Sequence, residues 1–196
     1  MSNENSPKAL LQRYRVKIAR VIMFTVLAYT FGYERISIMP FDSAIGLAGI
    51  AVLLLGVLVR SISAGVLHKN DILATAGIYA IVRNPLYLGS LLILFGFNII
   101  IANWLIAVTS IGLYLLTYVP TILREEQGLD RVYGEEWRAY VARSTRLFPN
   151  LLRLGALADI RWNYAQWRKN HEHNTVLAAI TVLTVLWLYN TYLSAQ

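Results

Sequence analysis

"SAIGLAGIAVLLLGVLVRSISAGVL", residues 43–67, decides the fold. It contains a single charge, Arg60, near one end. An apolar run of about 20 residues crosses roughly 30 Å of hydrocarbon as a helix, because a helix satisfies its own backbone N–H and C=O groups where no water can. Four similar runs flank it, at residues 18–33, 86–102, 104–123 and 175–193. The third and fourth in chain order are separated only by Asn103, so they must form a tight antiparallel hairpin. The expected fold class is all-α: an integral membrane bundle of five spans, a single domain over residues 1–196.

Composition agrees. Hydrophobic residues make up 57% of the 196-residue chain and charged residues only 15%, the reverse of a soluble domain's balance. There is no cysteine, which removes disulfides, thiolate metal sites, iron–sulfur ligation and thiol nucleophiles. The first apolar run is followed by Tyr33, Glu34 and Arg35, not by a small-residue cleavage site, and reads as a retained span.

The net charge of +7 acquires meaning once the 18 Lys and Arg are placed on this topology. Seventeen fall on one side and one, Arg35, on the other. The positive-inside rule then puts the N-terminus and the second and fourth loops in the cytoplasm and the C-terminus outside, as in a bacterial or archaeal inner membrane. The basic residues read as topology signals and contacts to anionic membrane lipids, not as a nucleic-acid surface. The fourth loop carries two helical periodicities. One is Leu129, Val132, Tyr133, Trp137, Tyr140 and Val141; the other is Leu157, Ile160, Tyr164 and Trp167, with Pro149 between them. Both predict amphipathic helices at the cytoplasmic membrane surface.

Two polar clusters stand out at the cytoplasmic edge. In Arg83-Asn84-Pro85, Asn suits an N-cap and Pro the first helical position. The same helix start offers N–H groups and a positive dipole end to a carboxylate or phosphate. Arg124-Glu125-Glu126 ends the fourth span, one turn after Pro120. Adjacent carboxylates point about 100° apart on a helix, so at most one faces the bundle. A carboxylate at that depth calls for a partner or a function. His171 and His173 flank Glu172 at a spacing that does not match the zinc-hydrolase helix motif, and no metal site is expected. His68 and Lys69 read as interfacial anchors.

In order, these residues form five blocks: Leu73–Tyr79; Arg83-Asn84-Pro85-Leu86-Tyr87-Leu88-Gly89; Glu125-Glu126 followed by Leu129; Tyr133-Gly134-Glu135-Glu136-Trp137-Arg138 followed by Tyr140; and Arg146-Leu147-Phe148-Pro149. This pattern, over residues 66–149, resembles the isoprenylcysteine carboxyl methyltransferase family, within the wider group that includes phospholipid N-methyltransferases. The resemblance implies an S-adenosylmethionine pocket inside the helix bundle, open to the cytoplasm. It places Asp71, Ile72 and Leu73 along the cofactor and Tyr79, Asn84 and Tyr87 in the pocket wall. Pro85 and Leu86 lend backbone and shape, and Glu125 meets the cofactor's polar end. Arg83 and Arg124 are the candidates for orienting an anionic group on substrate or cofactor. Trp137 and Tyr140 pack a cover over the site or anchor it to the interface. Residues 150–174 would form an interfacial segment and 175–193 the last span.

The implied acceptor is a lipophilic molecule, first of all an isoprenylcysteine-like carboxylate, alternatively a phospholipid amine. Two positions depart from the family pattern: Asn84 stands where many members have His, and Thr121 where eukaryotic members have a substrate-associated Arg. An NADPH-dependent reductase of sterol-reductase type would need a basic cluster for the 2′-phosphate, which Arg83 and Lys69 supply poorly. A non-catalytic membrane scaffold predicts no cofactor binding.

Overall fold

The computed structural model describes residues 7–33, 38–39, 41–68 and 72–194; the side chains of 7–17, 20, 33, 193 and 194 are outside that description. Asp71, Lys69, Glu34 and Arg35 therefore lie outside the described residues. The elements are α1 (Pro7–Tyr33), α2 (Ala44–Val66), α3 (Ile78–Ile81), α4 (Pro85–Ile101), α5 (Trp104–Arg143), a 3-10 segment (Leu151–Asp159), α6 (Tyr164–Lys169) and α7 (Glu172–Ser194). No strand occurs among the described residues.

Among the described residues, three helices are long and apolar enough to cross a membrane: Ala44–Val66, Trp104–Arg143 and Glu172–Tyr192. The remaining two expected spans are shorter apolar stretches, Val21–Gly32 within α1 and Pro85–Ile101. The 17 residues of α4 rise only about 25 Å. The hairpin between α4 and α5 is as tight as the sequence predicts. Ala102 turns the chain at φ 51°, and Asn103 caps α5 by accepting from the Ile106 N–H at 3.0 Å. Asn98 and Ser110 hydrogen-bond across the hairpin at 3.0 Å.

The closest helix pair is α2 with α4. A Cβ at Gly56 would lie 2.7 Å from the Gly89 carbonyl oxygen, and one at Gly96 2.7 Å from the Gly49 carbonyl oxygen. Lipid tails offer no hydrophobic drive for helices to associate, so small residues that let backbones touch take over that role. The two contacts, seven residues apart on each helix, fix one antiparallel register. Carried one further turn, it sets Arg60 of α2 level with Leu86 at the start of α4.

The carboxyl end of α2 leaves carbonyls without intrahelical donors. Residues far down the chain donate to this end of the helix. The Trp162 indole donates to Ser61 O at 3.0 Å, the Asn163 N–H to Gly65 O at 3.0 Å, and Asn170 Nδ2 to Ala64 O and Leu67 O at 2.7 and 2.9 Å. Gln166 Nε2 also donates to Leu67 O. This explains why residues 157–167 are not the single amphipathic helix their periodicity suggests. Asn163 interrupts them to cap α6, and residues 160–163 run extended or irregular against α2. The periodicity at 129–141 likewise does not make a separate surface helix. It continues α5, which bends at Gly134, where φ is 50° and ψ −116°, a conformation suited to glycine.

The Gly56 contact generates the first prediction. Gly56→Ala drives a methyl into the α4 backbone and should destabilise the protein by about 1–3 kcal/mol, seen as a lower thermal unfolding midpoint in detergent. Gly112→Ala, with nothing within 4 Å of the added carbon, should leave the midpoint within experimental scatter. Equal midpoints for both variants would show that the close approach does not hold the bundle.

Candidate functional site

Between α3 and α4 the chain is too short to form its own regular structure, and it borrows hydrogen bonds from residues 145–150. The Arg83 N–H donates to Thr145 O at 2.8 Å, the Asn84 N–H to Arg146 O at 3.2 Å, and the Asn150 N–H to Ile81 O at 2.9 Å. Gly77 makes the preceding bend at φ 59° with Ile160 3.1 Å from where a Cβ would stand. The connector is thus clamped to the segment that follows α5.

The electrostatic centre of this clamp is Glu126. Arg146 holds it bidentately, Nη2 to Oε2 at 2.7 Å and Nε at 3.1 Å. Asn84 Nδ2 donates to Oε1 at 3.1 Å, and Arg83 Nε lies 3.2 Å from the same oxygen. That last pair is close enough for Coulomb attraction but not aligned as a hydrogen bond, since Arg83 Nε and Nη1 are buried without a hydrogen-bond partner. The Arg83 guanidinium also sits 5.6 Å from the Trp137 ring, a cation–π contact. Leu73, Trp137 and Tyr140 pack as a buried cluster, and the Tyr140 hydroxyl donates to Tyr79 O at 2.7 Å. Burial pushes the Tyr79 and Tyr140 phenols well above the ordinary tyrosine range, so both remain neutral.

Glu125, the next residue, is exposed and accepts from the Tyr87 hydroxyl at 2.8 Å. The two carboxylates therefore face different ways, one inward to arginine and one outward to tyrosine. Tyr87 makes an edge-on ring contact with Tyr118, which stacks on Tyr114 at 4.5 Å. The Tyr114 hydroxyl returns to Tyr87 O at 2.7 Å. Tyr114 and Tyr118 also line a cavity of about 430 Å³ between α1, α4 and α5. Its lining is apolar, relieved by Ser90, Ser110, Thr117 and Thr121, and carries no charged side chain among the described residues.

The sequence-predicted residues are distributed as follows. Tyr87 and Glu125 are brought together. Asn84 occupies the N-cap position of α4 but makes no side-chain cap bond, because its amide is engaged by Glu126 and Arg146 O. Pro85 is fully buried at the first helical position. Leu73 and Tyr79 are buried under Trp137 and Tyr140, whereas Ile72 is 70% exposed. Arg83 stands beside Glu126, away from Arg124, which is exposed and bonded to Pro120 O. Sequence reasoning gave Glu126 the need for a partner without naming it, and assigned no pairing to Arg146 here or to Arg60 and Glu172, which pair at 2.8 Å. Arg60 had a signal, as the one charge in its span; Arg146 opens the fifth motif block, but nothing short of the fold shows its partner.

Residues 46–136 match the family model of phospholipid methyltransferase. The match takes in Arg60, Tyr79, Arg83, Asn84, Tyr87, Glu125 and Glu126 and ends one residue before Trp137. It supports a membrane methyltransferase. The cobalt-zinc-cadmium resistance protein CzcN of Cupriavidus metallidurans is 29% identical over 146 residues, covering 72% of this chain and 66% of that protein's length. No solved structure matches.

The clamp generates the second prediction. Glu126→Ala leaves the Arg83 guanidinium buried without a carboxylate, a loss of about 3–5 kcal/mol. The expected outcome is faster tryptic cleavage within residues 138–153 while helix content by circular dichroism is retained. Cleavage at the wild-type rate would mean that Glu126 does not hold residues 137–150 in place.

Proposed function

We propose that the protein is an S-adenosylmethionine-dependent integral membrane methyltransferase acting on a lipophilic acceptor, with the Tyr87–Glu125 end of the bundle in the cytoplasm. The observation that carries this reading is the placing of two polar features with hydrogen-bonding capacity to spare around one helix start. Arg83 keeps buried N–H donors without partners, and Glu125 is an exposed carboxylate beside Tyr87. A zwitterionic amino acid on a cationic sulfonium is a ligand whose charges answer both.

In this reading Arg83 and the uncapped first turn of α4 take the cofactor's carboxylate. Glu125 takes its ammonium or a ribose hydroxyl. The faces of Tyr79 and Tyr87 favour the sulfonium by cation–π attraction. Leu73, Pro85 and Leu86 shape the wall, and Asp71 and Ile72 border it. Arg124 orients an anionic headgroup at the exposed face. When bound, S-adenosylmethionine would supply an electrophilic methyl group for a lone pair of the acceptor, its sulfonium leaving as a thioether. The protein's own contribution is to hold the acceptor in line with that group and exclude water, which is where much of the rate arises. No general base is required for a carboxylate acceptor, and an amine needs only to be neutral.

The cavity beside Tyr114 and Tyr118 suits the acceptor's hydrocarbon. The phospholipid methyltransferase match favours a lipid amine over the carboxylate that the isoprenylcysteine resemblance suggests.

Calorimetric titration of the detergent-purified protein tests the cofactor. S-adenosylhomocysteine should bind saturably, NADPH should not, and Glu125→Ala should weaken binding by about 1.5–3 kcal/mol, the size of a charged hydrogen bond. Binding of NADPH alone, or no binding to folded protein, would overturn the reading. Labelled methyl transfer should then reach phosphatidylethanolamine vesicles in preference to prenylcysteine analogues; the reverse preference would restore the carboxylate acceptor.

A further inference from the structure

Arg60 lies in an apolar helix, where an unpaired guanidinium is costly. Each of its five N–H groups is used. Nε and Nη2 donate to the two carboxylate oxygens of Glu172, both at 2.8 Å, and Nη2 also to Thr175 Oγ1 at 3.2 Å. Nη1 donates to Leu86 O at 3.3 Å and to Ser90 Oγ. Half of the fork therefore holds α7 and the other half holds the first turn of α4. Glu172 is 1% exposed. It is also the first residue of α7, where the helix dipole favours a carboxylate. Neither group has another ionic partner among the described residues.

The first turn of α4 is gripped from its other side as well, by the Tyr114 hydroxyl on Tyr87 O. Leu86 and Tyr87 are thus held by two groups acting on consecutive carbonyls. Tyr87 is the residue that meets Glu125. The position of Arg60 between Leu86 and Glu172 makes the last span part of the site's scaffold, although residue 172 lies 36 positions beyond the end of the family match at 136.

We propose that Glu172 is a positioning residue of the methyl-transfer site: through Arg60 it fixes the first turn of α4, and with it Tyr87. The inference rests on the methyltransferase reading for its functional consequence, but not for its structural one. A fork that must satisfy both helices transmits a shift of α7 to Leu86, because a rigid planar guanidinium cannot turn toward one partner without leaving the other.

The test uses the full chain in detergent, comparing Glu172→Gln, Arg60→Lys and Leu186→Ala. Glu172→Gln keeps the shape of the side chain and removes its charge. Arg60→Lys keeps a cation for Glu172 but loses the fork that spans to α4. Leu186→Ala loosens α7 in the apolar core without touching Arg60, so it reports what mere destabilisation of α7 does. Two quantities are read, hydrogen–deuterium exchange of residues 85–90 and the kinetics of methyl transfer to phosphatidylethanolamine vesicles. Both Glu172→Gln and Arg60→Lys should speed exchange at 85–90 and lower kcat about a hundredfold, the scale of an ångström of misplacement, with KM for the lipid little changed. Leu186→Ala should lower the unfolding midpoint and leave exchange at 85–90 near wild type. If Leu186→Ala matches the other two in both readouts, or if Glu172→Gln alters neither, the positioning role is overturned. If wild type transfers no methyl, the functional reading fails, and exchange at 85–90 still decides whether Glu172 fixes that turn.

Discussion

The contact of Gly56 with Gly89, and of Gly49 with Gly96, is the constraint on which the rest depends. Backbones that touch leave no freedom of register. Once α2 and α4 meet at these points, Arg60 is delivered to Leu86 with no room to withdraw, since Gly89 itself abuts the Arg60 stem. A guanidinium fixed at that depth requires a carboxylate, and α7 supplies it at its first residue. The position of the last span is therefore a consequence of glycine packing between two other helices. The caps that residues 162–170 place on the end of α2 act in the same direction, anchoring the approach to α7 on the helix that carries Arg60.

Much of this arrangement was legible in the sequence at the level of elements. Apolar run length identifies the helices, and Asn103 alone between two runs forces the hairpin. What run length cannot give is partnership across distance. Arg60 and Glu172 are 112 residues apart, and Arg146 reaches Glu126 only because residues 145–150 return to pair with 81–84. Periodicity predicts a face but not what it meets. At 157–167 the apolar spacing is helical, yet the open carbonyls of α2 outbid it for Trp162 and Asn163. The glycine spacing of seven on both helices was present in the sequence. It gains meaning only when the two are known to be neighbours.

Asn84 shows why a local rule is weaker than its tertiary setting. Asn before Pro is a strong helix start, and the helix does start there. The side chain nevertheless abandons the cap for Glu126, because a buried carboxylate needs every donor within reach. The exchange leaves the first turn of α4 without a side-chain cap, and so available to an anion. A capping asparagine would have filled the place that the proposed cofactor carboxylate takes.

The adjacent glutamates complete the logic. Consecutive helical positions diverge by about 100°, so a single turn of α5 can present one carboxylate to the interior and the next to the mouth of the site. Glu126, fixed by Arg146 and attracted by Arg83, ties α5 to the connector before α4. Glu125 is then held in direction by its neighbour's bonds while its own side chain stays exposed and accepts from Tyr87. Moving the inward residue by one position would turn Arg146's partner toward solvent and leave Arg83 buried with no counter-charge. The pair divides inward anchor from outward carboxylate only in this order, and the order is set by which face of α5 the clamp at 81–84 can reach.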